Sequence, residues 1–261
     1  MAFLHTGAAS AADRATTPPK SGAVFVLLEN NKPVGTAFAV QCHGNDKLIT
    51  AGHNIHDRRA KFTIAPRVEK DVLGQFKIAG EARRIPRRVY VVEVGSEEED
   101  WAVLRATLDG IEPIPLCPLD ALQGIDPTDN FWVYHCPVET LMAVGGIPGV
   151  GVNVSAKMHP IFVSITRKEI YLPFGLWKGC SGGVVVDSMG RAVAIHIATA
   201  NSMETLEEVT KKSGGEDKIS DHASVLSDHA SVLNSITSTH AQYTISRLIS
   251  CCDNLLAALN R

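Results

Sequence analysis

Three short segments of the chain bring together residue types that can carry out acyl transfer. His53 ends the segment TAGH, Asp100 opens DWAVL, and Ser181 lies in GCSGG. A serine hydroxyl is a poor nucleophile near neutral pH, so it needs an imidazole to accept its proton. The imidazole in turn needs a buried carboxylate that fixes its tautomer and stabilises the imidazolium. A histidine, an aspartate and a serine in this order therefore point to hydrolysis through a covalent acyl-enzyme.

Glycines flank Ser181 on both sides, at Gly179 and at Gly182 and Gly183. Without a Cβ the backbone can turn sharply there and direct two N–H groups to one point. Such donors hold the oxyanion of a tetrahedral intermediate, and one donor is worth roughly 3–4 kcal/mol in comparable sites. Taken singly, each motif also has a structural explanation: a core or surface histidine, a solvated loop acid, a glycine turn. Their joint occurrence in this order is what favours catalysis.

Short apolar or alternating runs, separated by turn residues, surround these segments. From residue 22 to about 106 they include GAVFVLLE, KLITAGH and WAVLRA, and from 130 to 200 they include NFWVYHCPV, GVVVDS and RAVAIHIA. Runs of this length that are rich in Val, Ile, Phe and Thr predict strands. Residues 111–129 contain four prolines and predict a connector. The sequence therefore predicts an all-β protein of two similar units joined by a linker.

The remaining segments have other patterns. Residues 1–21, rich in Ala, Ser, Thr and Pro, predict a mobile arm, and residues 201–242, with the tandem repeat of SDHASVL, predict a polar insertion. In the last stretch apolar residues recur at helical spacing, which predicts a C-terminal helix with one apolar face. The predicted boundaries are therefore 1–21, 22–110, 111–129, 130–200, 201–242 and 243–261.

The composition excludes several classes of protein. The chain has 261 residues, is 45% hydrophobic and has a formal charge of -3. It is too apolar for a disordered protein, lacks the basic excess that attracts nucleic acid, and has no apolar run long enough to span a membrane. The N-terminus has no signal-peptide pattern, and the six cysteines follow neither metal-ligand nor disulfide spacing. We therefore expect an intracellular, cytoplasmic protein that uses no metal and no cofactor.

The three catalytic segments resemble the motifs of the chymotrypsin-like (trypsin-fold) serine peptidases. TAGHN resembles the family's Thr-Ala-x-His motif, DWAVL its Asp-x-Ala-Leu-Leu strand start, and GCSGG its Gly-x-Ser-Gly-Gly. The resemblance covers about residues 22–200 and the closing helix. It implies two six-stranded antiparallel β-barrels followed by a C-terminal helix, with His53 and Asp100 on the first barrel and Ser181 on the second.

The resemblance also implies a role for each residue. Ser181 is the nucleophile, His53 the general base and then acid, and Asp100 the carboxylate that orients it. The backbone N–H groups of Gly179 and Ser181 form the oxyanion hole. The expected function is that of a serine endopeptidase with protein or peptide substrates and an unspecified oligomeric state. An inactive protease-fold binding protein and an esterase with the same triad are the alternatives, although the order of the triad excludes the α/β-hydrolase scaffold.

His196 lies in the strand AIHIA, where glutamate-specific peptidases and viral chymotrypsin-like cysteine proteases carry a Gly-Ile/Met-His motif. In the family this strand lines the pocket for the residue that precedes the cleaved bond. An imidazole there can donate a hydrogen bond to a Glu carboxylate or a Gln carbonyl. The resemblance thus implies a substrate-binding role and cleavage after Glu or Gln. The alternative is a histidine that only fills a half-buried strand position.

Two positions depart from the family's pattern. Secreted members usually carry an aspartate just before the nucleophile, where this chain has Cys180. They also bridge the histidine loop with a disulfide, but here the partner position of Cys42 is Asn54. We therefore expect neither activation by N-terminal cleavage nor a disulfide-stapled state. A Cys180 nucleophile would need glycine directly after it, but Ser181 follows, so we expect Cys180 to pack inward.

Overall fold

The computed structural model describes residues 22–42, 46–71, 73, 75–78, 88–125, 129–137, 149–151, 153–154, 159–160, 162–172, 179–200 and 243–261. The arm predicted at residues 1–21 and the insertion predicted at 201–242, with its SDHASVL repeat, lie outside these ranges.

Short strands rich in β-branched and aromatic residues, which suit a pleated and half-buried surface, build the first unit. They are β1 (Val24–Glu29), β2 (Lys32–Ala39), β3 (Lys47–Ala51), β4 (Phe62–Ala65), β5 (Arg67–Lys70), β6 (Phe76–Ile78), β7 (Tyr90–Val94) and β8 (Trp101–Arg105). Six of them form an antiparallel sheet in the order β4-β1-β2-β3-β8-β7. A short helix, α1 (Leu119–Gln123), lies in the connector that follows.

The second unit is a larger sheet. The later strands are β9 (Phe131–His135), β10 (Gly149–Gly151), β11 (Asn153–Val154), β12 (Phe162–Ser164), β13 (Glu169–Leu172), β14 (Val184–Asp187), β15 (Ala192–Ala200) and β16 (Tyr243–Leu248). Seven of them pair in the order β11-β9-β14-β15-β16-β13-β12, while β10 pairs with β5 and so extends the first unit. The prediction of an all-β, double-barrel type of fold is confirmed, although the second sheet has seven strands in the described ranges instead of six.

The two units share the largest apolar cluster of the described residues. It contains Trp101 from the first sheet and Trp132 from the second, each 1% exposed. Full burial of a large apolar side chain stabilises a fold by roughly 1.5–3 kcal/mol. Because both sheets contribute to the same cluster, their relative placement is fixed by packing, and the residues at their junction are held in register.

The C-terminal helix is shorter than the sequence predicted. Helix α2 spans Asp253–Leu259, and Tyr243–Leu248 instead form β16. This strand fills the place between β13 and β15 in the second sheet. The apolar residues at helical spacing belong in turn to a strand, a 3-10 turn and a helix. Leu248 of the strand packs in one cluster, and Ile249 and Leu259 pack in another. A short apolar run cannot distinguish these cases by period alone.

The described ranges contain neither a disulfide nor a helix that could span a membrane. All six cysteines are free, and four of them are buried. No helix in these ranges is long and apolar enough to cross a bilayer.

Candidate active site

Strand register brings His53 and Asp100 together. β3 and β8 are antiparallel neighbours, and the last residue of one, Ala51, faces the first residue of the other, Trp101. His53 lies in the 3-10 turn Gly52–Asn54 that directly follows β3, and Asp100 directly precedes β8. The residues just beyond the paired ends therefore meet at one edge of the first unit.

The Asp100 carboxylate binds the turn of His53 with both oxygens. Oδ2 lies 2.8 Å from Nδ1 of the ring, and Oδ1 accepts a hydrogen bond of 2.8 Å from the backbone N–H of His53. The contact assigns the ring proton to Nδ1, which leaves the Nε2 lone pair as an acceptor. The side chain of Asp100 is 18% exposed and that of His53 47% exposed. The carboxylate is thus shielded while the imidazole faces solvent.

The turn before β8 holds Asp100 in a left-handed conformation. Its φ is +48°, a region that costs a residue with a Cβ roughly 1–2 kcal/mol. The N–H of Asp100 donates to the carbonyl of Ser96 at 2.9 Å, and the N–H of Gly95 donates to the carbonyl of Trp101 at 2.8 Å. These bonds close the turn and direct the carboxylate to His53.

Residues 179–183 form a tight turn that leads into β14. Gly179 and Gly182 have φ values of +88° and +82°, and the N–H of Gly183 donates to the carbonyl of Cys180 at 2.9 Å. A Cβ on Gly182 would lie 2.1 Å from the carbonyl oxygen of Thr36. Glycine is therefore required at position 182 both by backbone conformation and by close contact with β2.

Two hydrogen bonds from the first unit hold the backbone of Ser181. Its carbonyl accepts one of 2.8 Å from the N–H of Thr36 and one of 2.9 Å from Nδ2 of Asn54. Asn54 is 2% exposed and directly follows His53, so one turn carries the histidine and binds the serine. The Thr50 hydroxyl accepts a bond of 3.0 Å from Asn54 and donates one of 2.6 Å to the carbonyl of Thr36. This network joins the two units at the site.

The amides of Gly179 and Ser181 are placed on either side of Cys180 in the turn. Neither amide donates to a backbone carbonyl in the described part of the chain, while the carbonyl of Gly179 accepts a bond of 3.2 Å from Thr36 Oγ1. The structure joins His53 to Asp100 directly and Ser181 to their turn through Asn54. Between these described residues no hydrogen bond links the Ser181 hydroxyl to the His53 ring, and such bonds are often long until substrate binds.

Cys180 packs inward, as expected from the sequence. It is fully buried, and its Sγ lies 3.1 Å from Nδ1 of His135 on β9. Burial lowers the pKa of His135 to about 4, so the ring is uncharged near pH 7. The Cys180 side chain therefore anchors the turn to the second sheet.

His196 lies on β15 behind the turn of Ser181 and is more deeply buried than the half-buried position considered from the sequence. Its backbone exchanges hydrogen bonds of 2.8 Å with Gly182 and Gly183. The residue is 2% exposed. Burial lowers the pKa of its ring to about 3, and the nearby His135 and His53 act in the same direction. A hydrogen bond to the backbone of Ile245 acts in the opposite direction on this pKa, and Nδ1 bonds to none of the described residues.

Sequence reasoning missed the residues that support the site. Thr36 and His135 belong to no motif, and their contacts join residues far apart in the sequence. Thr50 opens the segment TAGH, but nothing in that motif indicated its hydrogen bonds to Thr36 and Asn54. Asn54 was noted only as a departure from the family's cysteine, although its position next to His53 was the available signal. No group of three or more His, Cys, Asp or Glu in the described ranges is arranged to bind a metal.

We expect Gly182→Ala to lose more stability than Gly110→Ala. Both glycines have left-handed φ values, +82° and +76°, so both variants bear the same backbone cost. A Cβ at position 182 meets Thr36, whereas nothing lies within 4 Å of a Cβ at position 110. The overpacked variant should lose about 1–3 kcal/mol more in free energy of unfolding, measured by urea denaturation. Equal losses would contradict the tight contact between the turn and β2.

No protein-family model and no curated protein matches this chain. Among solved structures it is similar to a thermostable serine protease, AL20, from an extremophilic microorganism, with 16% identity and a TM-score of 0.43 over 68% of this chain and 85% of that one. It is similar to Deg5, with 14% identity and a TM-score of 0.45 over 68% and 80% of the two chains. It is also similar to the HtrA-type protease AlgW with a tripeptide, with 19% identity and a TM-score of 0.43 over 67% of this chain and 50% of AlgW. The chain is thus similar in fold to HtrA/Deg-type and other trypsin-fold serine proteases.

Proposed function

We propose that this chain is a serine endopeptidase that cleaves peptide bonds through an acyl-enzyme on Ser181. The observation that carries the proposal is the two-oxygen contact of the Asp100 carboxylate with the turn of His53. A histidine oriented by a shielded carboxylate is what activation of a serine hydroxyl requires. The link from Asn54 to the Ser181 carbonyl supports the same assignment, because it ties the serine to that turn.

In the acylation step, the Ser181 oxygen attacks the substrate carbonyl carbon while Nε2 of His53 takes the hydroxyl proton. The N–H groups of Gly179 and Ser181 stabilise the oxyanion of the tetrahedral intermediate. The imidazolium, held by Asp100, then gives its proton to the amine as the C–N bond breaks. An ester of the acyl group with Ser181 remains, and the amine product leaves.

Deacylation repeats the same proton transfers with water. His53 takes a proton from water, whose oxygen attacks the ester carbonyl, and the same two amides stabilise the second oxyanion. The proton then returns to Ser181 as the ester bond breaks and the acid product leaves. The proposal uses no metal ion and no cofactor.

We expect a fluorophosphonate probe to label the wild-type chain and not the Ser181→Ala variant. His53→Ala and Asp100→Asn should lower the labelling rate about 10³- to 10⁴-fold, because each removes a member of a unit that acts together. Cys180→Ser is the matched control, because it tests whether the thiol next to Ser181 is the group that the probe labels. The variant's hydroxyl can still form a hydrogen bond with His135, so labelling should persist.

Two outcomes of this experiment would contradict the proposal. Labelling that persists in Ser181→Ala would place the nucleophile elsewhere. Absence of labelling in a wild-type chain shown to be folded by circular dichroism would favour an inactive protease-fold binding protein.

We propose further that His196 binds the side chain of the residue before the cleaved bond and prefers Gln to Glu. The pKa of about 3 keeps the buried ring uncharged near pH 7. Its hydrogen bond to the backbone of Ile245 uses the ring N–H, so Nδ1 is the acceptor left for a substrate. A Gln amide can donate to this nitrogen. A Glu carboxylate offers only acceptors, and its burial beside an uncharged ring is costly.

In a peptide library at pH 7 we expect kcat/KM after Gln to exceed that after Glu about tenfold, since one mismatched buried polar group costs about 1–3 kcal/mol. His196→Ala should remove the preference while probe labelling of Ser181 is retained. His56→Ala is the control, because His56 is exposed and bound to Glu29 at 3.2 Å. Equal cleavage after Lys would refute the role given to His196.

A further inference from the structure

We propose that Arg247 is a positioning residue that holds the turn carrying Asp100 and thereby sets the orientation of His53. The inference rests on the proposed function. Arg247 belongs to β16, in the second sheet, and to none of the catalytic motifs.

The guanidinium of Arg247 connects the second sheet to the turn that precedes β8. Nη2 donates a hydrogen bond of 2.7 Å to the carbonyl of Glu98, two residues before Asp100. Nη1 donates one of 2.8 Å to the carbonyl of Arg167. Arg247 is 8% exposed, so these charge-assisted bonds are shielded from water and stronger than bonds between neutral groups.

Glu169 fixes the guanidinium on the side of the second sheet. It faces Arg247 across the pair β13–β16, and Oε1 lies 3.2 Å from Nη2. Oε2 accepts a hydrogen bond of 2.5 Å from the Tyr171 hydroxyl, which orients the carboxylate. The guanidinium is planar and its donors are rigidly spaced. Once the second sheet fixes the guanidinium, the position of the Glu98 carbonyl that it binds is also fixed.

The turn's own hydrogen bonds among Ser96, Glu99, Asp100 and Trp101 stay within the first unit. A cavity of about 790 Å3 lies between the turn and the β12–β13 connection, and its lining includes Ser96, Glu98, Lys168 and Arg247. Asn254 on α2 contributes a longer bond of 3.5 Å to the Glu99 carboxylate. Arg247 is therefore the buried, charged contact that spans the gap.

The held conformation matters because Asp100 is in a left-handed conformation, with φ +48°. Released from Arg247, the turn can relax toward a less strained backbone and move the carboxylate away from His53. A displacement of about 1 Å at a catalytic group can lower the rate about 100-fold. Arg247 thus acts on the reaction through the Asp100–His53 contact and touches no substrate.

The test compares Arg247→Met and Arg247→Lys with the control Arg191→Met. Arg191 makes a similar ion pair, 2.7 Å to Asp187, on the β14–β15 hairpin, and none of its described hydrogen bonds reaches the turn of Asp100. The readouts are kcat and KM on a peptide with Gln before the cleaved bond, and the downfield proton resonance of the His53 Nδ1–H donated to Asp100.

Arg247→Met should lower kcat about 10- to 100-fold with little change in KM, and should shift or broaden the His53 resonance. Arg247→Lys keeps the charge but cannot span all three acceptors, so its values should be intermediate. Arg191→Met should leave kcat and the resonance as in the wild type.

A wild-type kcat and resonance in Arg247→Met would overturn the inference while the proposed function stands. If the wild type is inactive, the proposed function fails, and the resonance still decides whether Arg247 holds the contact. If Arg247→Met does not fold, Arg247→Lys decides: a wild-type resonance and kcat in that variant overturn the inference.

Discussion

The two hydrogen bonds that the Ser181 carbonyl accepts from Thr36 and Asn54 are the contacts on which the proposed chemistry depends. One sheet supplies the histidine and the aspartate, and the other supplies the serine, so the site exists only while the sheets stay in register. Each buried hydrogen bond contributes about 1 kcal/mol net, which is too little to hold two sheets together alone. The shared core around Trp101 and Trp132 holds the sheets, and the two bonds set the final placement of the serine.

One close approach and one strained backbone position accompany this placement. Gly182, whose left-handed φ costs a glycine little, lies against the carbonyl of Thr36, and Asp100 has a left-handed φ without being a glycine. Strain of this kind persists only where surrounding contacts over-determine the conformation, and it is concentrated at functional sites. For Asp100 these contacts are the hydrogen bond from its N–H to the Ser96 carbonyl and the one from Arg247 to the Glu98 carbonyl.

The sequence predicted those parts of the site whose chemistry requires a particular residue type within a short motif. His53, Asp100 and Ser181 could be found because catalysis requires those residue types, and the glycines because a sharp turn requires them. The alternating runs predicted strands because a half-buried strand requires that pattern. Contacts between residues far apart in the sequence produce no local pattern. Asn54 and Arg247, for example, bind backbone carbonyls 127 and 149 residues away. The strand Tyr243–Leu248 was missed because its apolar residues also fit a helical period.

The most direct test is a crystal structure of the chain after reaction with a peptidyl phosphonate that carries Gln next to the phosphorus. The account predicts a bond from phosphorus to the Ser181 oxygen, and a phosphonyl oxygen about 3 Å from the amide nitrogens of both Gly179 and Ser181. It also predicts that the His53–Asp100 contact of 2.8 Å is retained. An adduct on another residue, or a phosphonyl oxygen directed away from both amides, would contradict it.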